Sequence, residues 1–303
     1  MLLSVARLGA TRGHLLVGLL VAVNVVLVGL ALGHSSPSVA TGAVVPTPTP
    51  SAHRPVALMS ASAARALGPM PPERFSVAST KIAWRAHGGC SGAPGLAATQ
   101  DGGLTFVDLP TPDTYVLQVG LTGAKTGWIV GASAQCQPAY FSTRNGGKTW
   151  AVVGTLNDAW TPFGSGLLTP SATSTTPCHG SANTPFAVAG GGARTAIVIC
   201  RRGVVRTTNG GGSWRPTGRF PSGRPVAVAL TPAGRGLLAL AHSARCPGAR
   251  VALTDDSGSS WSPGPCLPNA TAPAVASLAP SGRGLLVSPG YLFRTQDAGA
   301  SWS

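Results

Sequence analysis

The sequence predicts an all-β protein, a β-propeller of about five four-stranded blades preceded by one N-terminal hydrophobic helix. Three observations predict this fold class. A short motif that begins with Thr and ends with an aromatic residue occurs five times. Its copies are 41 to 64 residues apart, close to the length of a four-stranded blade. The composition, with 41 Gly and 27 Pro but only 10% charged residues, suits many short strands joined by turns.

Each copy of the motif, here called a box, reads Thr-x-Asp/Asn-x-Gly-x-Ser/Thr-Trp, and the first copy ends in Phe instead of Trp. The Asp or Asn side chain is expected to accept backbone N–H groups and to close a β-hairpin turn. The Gly takes the left-handed conformation, and the aromatic residue buries apolar area where the next strand begins. The residues given these structural roles are Asp101 and Phe106; Asn145, Gly147 and Trp150; Asn209, Gly211 and Trp214; Asp256, Gly258 and Trp261; and Asp297, Gly299 and Trp302.

The box resembles the Asp box, or bacterial neuraminidase repeat, of sialidases, sortilin-type receptors and propellers similar to photosystem II assembly factors. The resemblance extends over Phe75–Ser303. It implies that each box is a structural hairpin between the third and fourth strands of a blade and has no catalytic role. It also implies a role in protein assembly in general, without any link to photosynthesis.

The box spacing sets the expected number of blades. The intervals between the Asp or Asn positions are 44, 64, 47 and 41 residues, so one interval contains about twenty extra residues. We therefore expect five blades over residues 73–303, with a long insertion at about 157–184. The predicted strands are 75–77, 82–86, the strand before Asp101 and 106–109; 116–121, 127–131, 139–142 and 150–153; 186–189, 195–200 and 204–207; 226–230, 237–241 and 250–254; and 274–278, 284–287 and 291–295.

The last predicted blade ends where its fourth strand should begin. Because an open edge strand is a liability, propellers often complete the last blade with a strand from the other end of the chain. Pro55–Met59 is the predicted closing strand.

The first 72 residues divide into three parts. Residues 1–14 carry Arg7 and Arg12 and no acid, and 15–32 are an apolar run. This order favours an N-terminus inside and a domain outside the cell. The apolar run is interpreted as a transmembrane anchor, with a cleaved signal peptide and secretion as the alternative. Residues 33–72, rich in Pro, Ser, Thr and Ala, are expected to be an extended linker to a propeller at 73–303.

Six cysteines in an exported chain are typical of disulfides. In the predicted blade plan, all six lie on or next to the face that carries the loops opposite the boxes. Pairing within blades or between equivalent loops of neighbouring blades predicts three bonds: Cys90–Cys136, Cys178–Cys200 and Cys246–Cys266. No Cys-x-x-Cys or paired-His spacing favours metal binding instead.

The same face is the predicted ligand face, formed by Arg201, Arg202, Arg219 and Arg224 together with the insertion. The chain has 22 Lys and Arg against eight Asp and Glu, a net charge of +14, which suggests an acidic partner. Arg enrichment in a high-GC genome is the alternative explanation. The expected partners are the membrane, through residues 15–32, and an envelope protein or acidic polysaccharide. No nucleic acid, cofactor or metal is expected, and the oligomeric state stays open.

The expected function is a non-enzymatic binding scaffold of the cell envelope, in the manner of an assembly factor. The alternative is a divergent sialidase-like glycoside hydrolase. That chemistry needs a Tyr nucleophile with a Glu partner and an acid, but the only Glu, Glu73, precedes the first predicted strand at 75–77, so the predicted strands and loops of the ring contain no Glu. The Asp residues outside the boxes are Asp108, Asp113 and Asp158, and their substitution would test the hydrolase reading.

Overall fold

The computed structural model describes residues 73–303 except 91–94, 181–182 and 244. The predicted apolar segment at 15–32, the linker and the closing strand Pro55–Met59 lie outside the described residues. Within the described residues, no helix is long and apolar enough to span a membrane. The described chain forms twenty-two β-strands in six antiparallel sheets.

The six sheets follow one another along the chain and are numbered here as blades. Blade 1 contains β1 (Glu73–Val77), β2 (Ala83–His87), β3 (Leu96–Thr99) and β4 (Val107–Asp108). Blade 2 contains β5 (Tyr115–Leu121), β6 (Gly127–Ala132), β7 (Pro138–Thr143) and β8 (Ala151–Val153). Blade 3 contains β9 (Thr161–Phe163), β10 (Gly166–Leu168) and β11 (Ser174–Thr175). Blade 4 contains β12 (Pro185–Gly190), β13 (Ala196–Cys200), β14 (Gly203–Thr207) and β15 (Arg215–Pro216). Blade 5 contains β16 (Arg224–Leu230), β17 (Gly236–Ala241), β18 (Ala249–Thr254) and β19 (Ser262–Leu267). Blade 6 contains β20 (Val275–Leu278), β21 (Gly284–Ser288) and β22 (Tyr291–Thr295).

The chain is therefore a six-bladed propeller, and the prediction of five blades is wrong. The first strands of neighbouring blades touch in sequence, β1 to β5, β5 to β9, β9 to β12, β12 to β16, β16 to β20 and β20 to β1, so the ring closes on itself. The predicted third, fourth and fifth units are blades 4, 5 and 6. The extra blade is the segment at 157–184 that the spacing assigned to an insertion.

Blade 3 is short, and its innermost strand, β9, runs in the opposite direction to the innermost strands of the neighbouring blades. The Trp160 indole, just before β9, donates to the carbonyl of Gly192, in the loop after β12 that contacts a box. β9 therefore starts at the box end of the ring, where the innermost strands of the other blades finish. Trp160 and Leu167 are 1% and 0% exposed, so this segment adds to the core.

The core consists of six apolar clusters, each between two adjacent blades. Trp84 of blade 1 contacts Trp150 of blade 2 edge to face, with ring centroids 5.7 Å apart. Between blades 4 and 5, Ile197 and Leu238 are fully buried. Because each sheet buries both faces against neighbours, its middle strands are apolar almost throughout, as the strands of a fully covered sheet are.

Blade 6 closes on blade 1. Val77, Ala83, Ala279 and Leu285 form the cluster between them. Ser303 exchanges two backbone hydrogen bonds of 2.9 and 3.0 Å with Arg294. Relative to its box, Ser303 occupies the position that Val107 holds in blade 1.

Candidate functional site

The boxes form hairpin turns at one end of the ring, here called the box face. In the second box, the amide of Gly147 donates to Oγ1 of Thr143 over 3.1 Å, and the amide of Thr149 donates to Oδ1 of Asn145 over 3.0 Å. The other four boxes repeat these bonds. The leading Thr, at most 5% exposed in every box, is a turn-forming residue that the sequence analysis did not single out.

Hydrogen bonds hold the box aspartates ionised to low pH. The pKa of Asp297 is lowered to about 2, mainly by the hydroxyl and amide of Ser301. Desolvation raises the pKa of Asp256, but bonds from Ser260, Thr254 and Ser259 outweigh it and lower the pKa to about 2. The Thr105 hydroxyl and amide lower the pKa of Asp101 further. These carboxylates are occupied within their own turns, which fits a structural role.

The structure contains the three predicted disulfides: Cys90–Cys136, Cys178–Cys200 and Cys246–Cys266, with Cα–Cα distances of 5.6, 5.7 and 5.6 Å. The first joins blades 1 and 2, the second ties blade 4 to the segment before it, and the third lies within blade 5. These bonds restrain the loops at the end of the ring opposite the boxes, here called the loop face.

A cavity of about 1030 Å³ lies among the innermost strands and opens towards the loop face. This volume is at the upper end of the range for small-molecule sites. Its walls are largely apolar and include Phe75, Phe186 and Phe220. Its described lining contains four arginines and one histidine but no Asp or Glu: Arg74, Arg201, Arg202, Arg224 and His242.

Three of the four predicted ligand-face arginines line this cavity. Arg201 and Arg202 form the tight turn between β13 and β14, directly after Cys200, and Arg224 opens β16. All three are exposed. Arg219 lies instead beside a neighbouring cavity of about 540 Å³, whose lining shares Arg202 and Phe220 with the first. The structure thus brings all four arginines to one region of the loop face.

The backbone of the Arg201–Arg202 turn is held by the connection between blades 3 and 4. The amide of Arg202 donates to Oδ1 of Asn183 over 3.0 Å, and the amide of Arg201 donates to the carbonyl of Thr184 over 3.3 Å. The Cys178–Cys200 bond adds a covalent link next to the turn. The two guanidinium groups therefore project from a restrained backbone.

Two cavity residues were missed by sequence reasoning. Burial lowers the pKa of Arg74 by desolvation, and its Nε has no hydrogen-bond partner. Ser288, the last residue of β21, is 5% exposed, and its Oγ also lacks a partner. Neither belongs to a motif, and only the closure of blade 6 on blade 1 brings them to one cavity. No sequence signal points to either residue.

Glu73 was expected to precede the blades, but it is the first residue of β1, so blade 1 does contain a Glu. The three Asp residues considered for hydrolysis are not gathered at one place. Asp108 is exposed in the outer strand β4, and Asp113 lies against Gly131 of blade 2. Asp158 lies at the box face, where burial raises its pKa against the opposing effect of the Gly192 amide. Among the described residues, no group of three or more His, Cys, Asp or Glu is arranged to hold a metal ion.

No protein-family model matches this chain, and neither does any curated protein. Solved propeller structures resemble it. A GH74 xyloglucanase from Xanthomonas campestris is 13% identical over 75% of this chain and 45% of that chain, with a TM-score of 0.43. YCF48, solved bound to a D1 peptide, is 20% identical over 65% of this chain and 56% of that chain, with a TM-score of 0.31. A gluconolactonase from Xanthomonas campestris is 11% identical over 70% of this chain and 67% of that chain, with a TM-score of 0.35. The chain spans about half the length of the first two proteins.

Proposed function

We propose that this chain is an exported, membrane-anchored propeller of the Asp-box type that binds an acidic partner of the cell envelope and performs no catalysis. One observation carries the proposal. The exposed Arg201, Arg202 and Arg224 line a large cavity whose described lining contains no carboxylate. A cluster of like charges without counterions favours an anionic partner over a neutral or cationic one.

The type of cation supports the same proposal. The guanidinium group is planar and presents its donors as a fork that matches carboxylate or phosphate bidentately. The turn that carries Arg201 and Arg202 is fixed by Asn183 and by the adjacent disulfide. Such fixing reduces the entropy lost when a partner binds. A protein or polysaccharide rich in carboxylates is the partner class, and an assembly role is the biological setting that we propose.

Two labelled probes test this function on the purified full chain: a decapeptide of Glu and an oligomer of polygalacturonate. Fluorescence anisotropy is measured from 50 to 300 mM NaCl. Affinity should fall as salt rises, because exposed charges are screened over about 8 Å at physiological ionic strength. Changing Arg201, Arg202, Arg219 and Arg224 together to Ser should weaken capture at least tenfold and leave the melting temperature nearly unchanged, since all four are exposed.

The matched control changes four exposed arginines at the opposite end of the ring: Arg144, Arg194, Arg215 and Arg283. It removes the same charge and should leave capture almost intact. Equal losses in both variants would mean that net charge alone attracts the probe. Release of a sugar by the purified chain, lost on changing Asp108, Asp113 or Asp158, would favour the hydrolase instead. Protease added to intact spheroplasts should remove residues 33–303, and full protection would refute the proposed topology.

A further inference from the structure

The cavity contains two buried polar groups that the proposed function does not use. Nε of Arg74 and Oγ of Ser288 are both buried, and neither has a hydrogen-bond partner. Both residues line the same cavity. An unsatisfied buried donor costs about 1 to 3 kcal/mol, so each such group in a native structure requires an explanation.

The position of Arg74 follows from the register of the innermost strands. Arg74 lies four residues before Ala78, whose amide opens the turn that ends β1. The residues at the same distance from the corresponding turns of blades 2, 4, 5 and 6 also line the cavity: Gln118, Ala187, Ala227 and Val275. Arg74 is the one charged member of this ring of five positions, and three of the others are small or aliphatic.

Apolar residues surround this ring on the side of the loop face. Phe186 is 45% exposed and is the unpaired residue of a β-bulge in β12, where the pairing with β13 shifts register. The first strands of blades 2 and 5, β5 and β16, have a register shift at the equivalent position. Such bulges redirect side chains and often border binding sites. The cavity therefore offers two buried donors without partners on the blade 1 and blade 6 side and apolar surface around Phe186, while the exposed Arg201, Arg202 and Arg224 also line it.

We propose that this cavity binds the carboxylate of an acid with an apolar body, with Arg74 and Ser288 as its polar anchors. The carboxylate accepts from Nε of Arg74 and from the hydroxyl of Ser288, and the apolar body contacts Phe186, Ala187 and Val188. Both orphaned donors gain a partner, and a buried cation gains a counterion. The site lies in the same cavity as the surface arginines but does not depend on the proposed capture of an acidic polymer.

Isothermal titration of the full chain with octanoate tests the proposal, with octanamide as the neutral probe of the same shape. Octanoate should bind at least tenfold more tightly than octanamide. Arg74→Gln should weaken octanoate binding by about tenfold or more, as expected for a charge-assisted contact, and leave octanamide unaffected. Ser288→Ala should weaken octanoate by a smaller factor without loss of stability, because its hydroxyl makes no bond in the folded chain. This second variant keeps the test open if Arg74→Gln fails to fold.

Arg85→Gln is the matched control, since Arg85 lies in the next strand of blade 1 with its guanidinium carbon 4.1 Å from the centre of the Phe106 ring. It should leave octanoate binding unchanged. The tetrapeptide Ala-Val-Ala-Leu, acetylated and with a free or an amidated C-terminus, separates the two sources of such a carboxylate. Binding of the free-acid peptide alone assigns the site to polypeptide C-termini, and binding of octanoate alone assigns it to free organic acids.

Failure of both acids to bind, or binding that Arg74→Gln leaves unaltered, would overturn the proposal. The fourfold change of the surface arginines should alter octanoate affinity less than threefold. Arg74→Gln, in turn, should leave capture of the Glu decapeptide intact. The two proposals therefore fail in different experiments.

Discussion

The aromatic residue that ends the second box offers a quantitative test of how the boxes stabilise the ring. Trp150 is half-buried at the junction of blades 1 and 2. Its Nε1 donates to the carbonyl of Pro110 over 2.9 Å, and its ring meets Trp84 edge to face at 5.7 Å. Trp150→Ala removes all three contributions: half of a large apolar burial, an aromatic pair and a hydrogen bond.

The loss in free energy of unfolding caused by Trp150→Ala can be estimated by adding these three contributions. The half-buried ring contributes about 1.5 kcal/mol, the aromatic pair about 1 kcal/mol and the hydrogen bond about 1 kcal/mol. The free energy of unfolding should therefore fall by about 3 to 4 kcal/mol, at the lower end of the values for truncating a core Trp. Trp150→Phe keeps a ring against Trp84 and loses the hydrogen bond, so it should cost only about 1 kcal/mol.

Urea unfolding measures both changes, followed by Trp fluorescence and far-UV circular dichroism. Coincident transitions justify a two-state free energy. If Trp150→Ala unfolds within about 1 kcal/mol of the wild type, a value below the sum of the parts, the box does not hold blade 2 to blade 1. An equal cost for Ala and Phe would assign the effect to the hydrogen bond alone.

Three further predictions concern the turns, the disulfides and acid stability. Gly146→Ala should cost about 1 kcal/mol through strain at its positive φ, whereas Gly147→Val should cost more in the same urea assay, because its Cβ would lie 2.8 Å from Cδ1 of Leu109. Removing Cys246–Cys266, which closes 20 residues, should cost about 3 kcal/mol, and removing Cys90–Cys136, which closes 46, about 4 kcal/mol; equal melting temperatures for both variants would contradict this order. The folded pKa of Asp256 is about 2, below its unfolded value near 4, so its stabilisation is complete above pH 4 and is lost as the pH falls towards 2. Asp256→Asn, the residue that two boxes already carry, should therefore flatten the melting temperature between pH 4 and 2, and an unchanged profile would show that the carboxylate does not couple to folding.

The strands on either side of each box could be predicted because the box residues specify the turn between those strands. The Thr, the Asp or Asn and the Gly are all required by one turn, and the aromatic residue marks the start of the next strand. Strand positions in blades 1, 2, 4, 5 and 6 agree with the predicted ranges to within one or two residues. The disulfide pairing could be predicted as well, because the predicted order of strands places the loops that carry the cysteines on one face of the ring.

Blade 3 could not be found in this way, because it has no box and its strands are only two or three residues long. One signal was present. Residues 168–173, Leu-Thr-Pro-Ser-Ala-Thr, resemble 230–235, Leu-Thr-Pro-Ala-Gly-Arg, which form the first turn of blade 5. In both turns the Thr amide donates to the carbonyl four residues on, over 2.8 Å. A search for this turn, in addition to the box, would have given a sixth unit.

The two faces of the ring are constrained to different degrees. At the box face, every blade that has a box must keep the same Thr, Asp or Asn and small residues, because they satisfy the backbone of one recurring turn. At the loop face no residue is required at equivalent positions, so Arg201, Arg202, Arg219 and Arg224 occur there without counterparts in the other blades. Free loops alone would bind poorly, since ordering them costs conformational entropy. The cysteines remove that cost at the loop face, and Cys200 does so beside the two arginines at the opening of the cavity. The sequence alone could count these arginines, but only the folded ring shows that three of them, Arg201, Arg202 and Arg224, line one cavity.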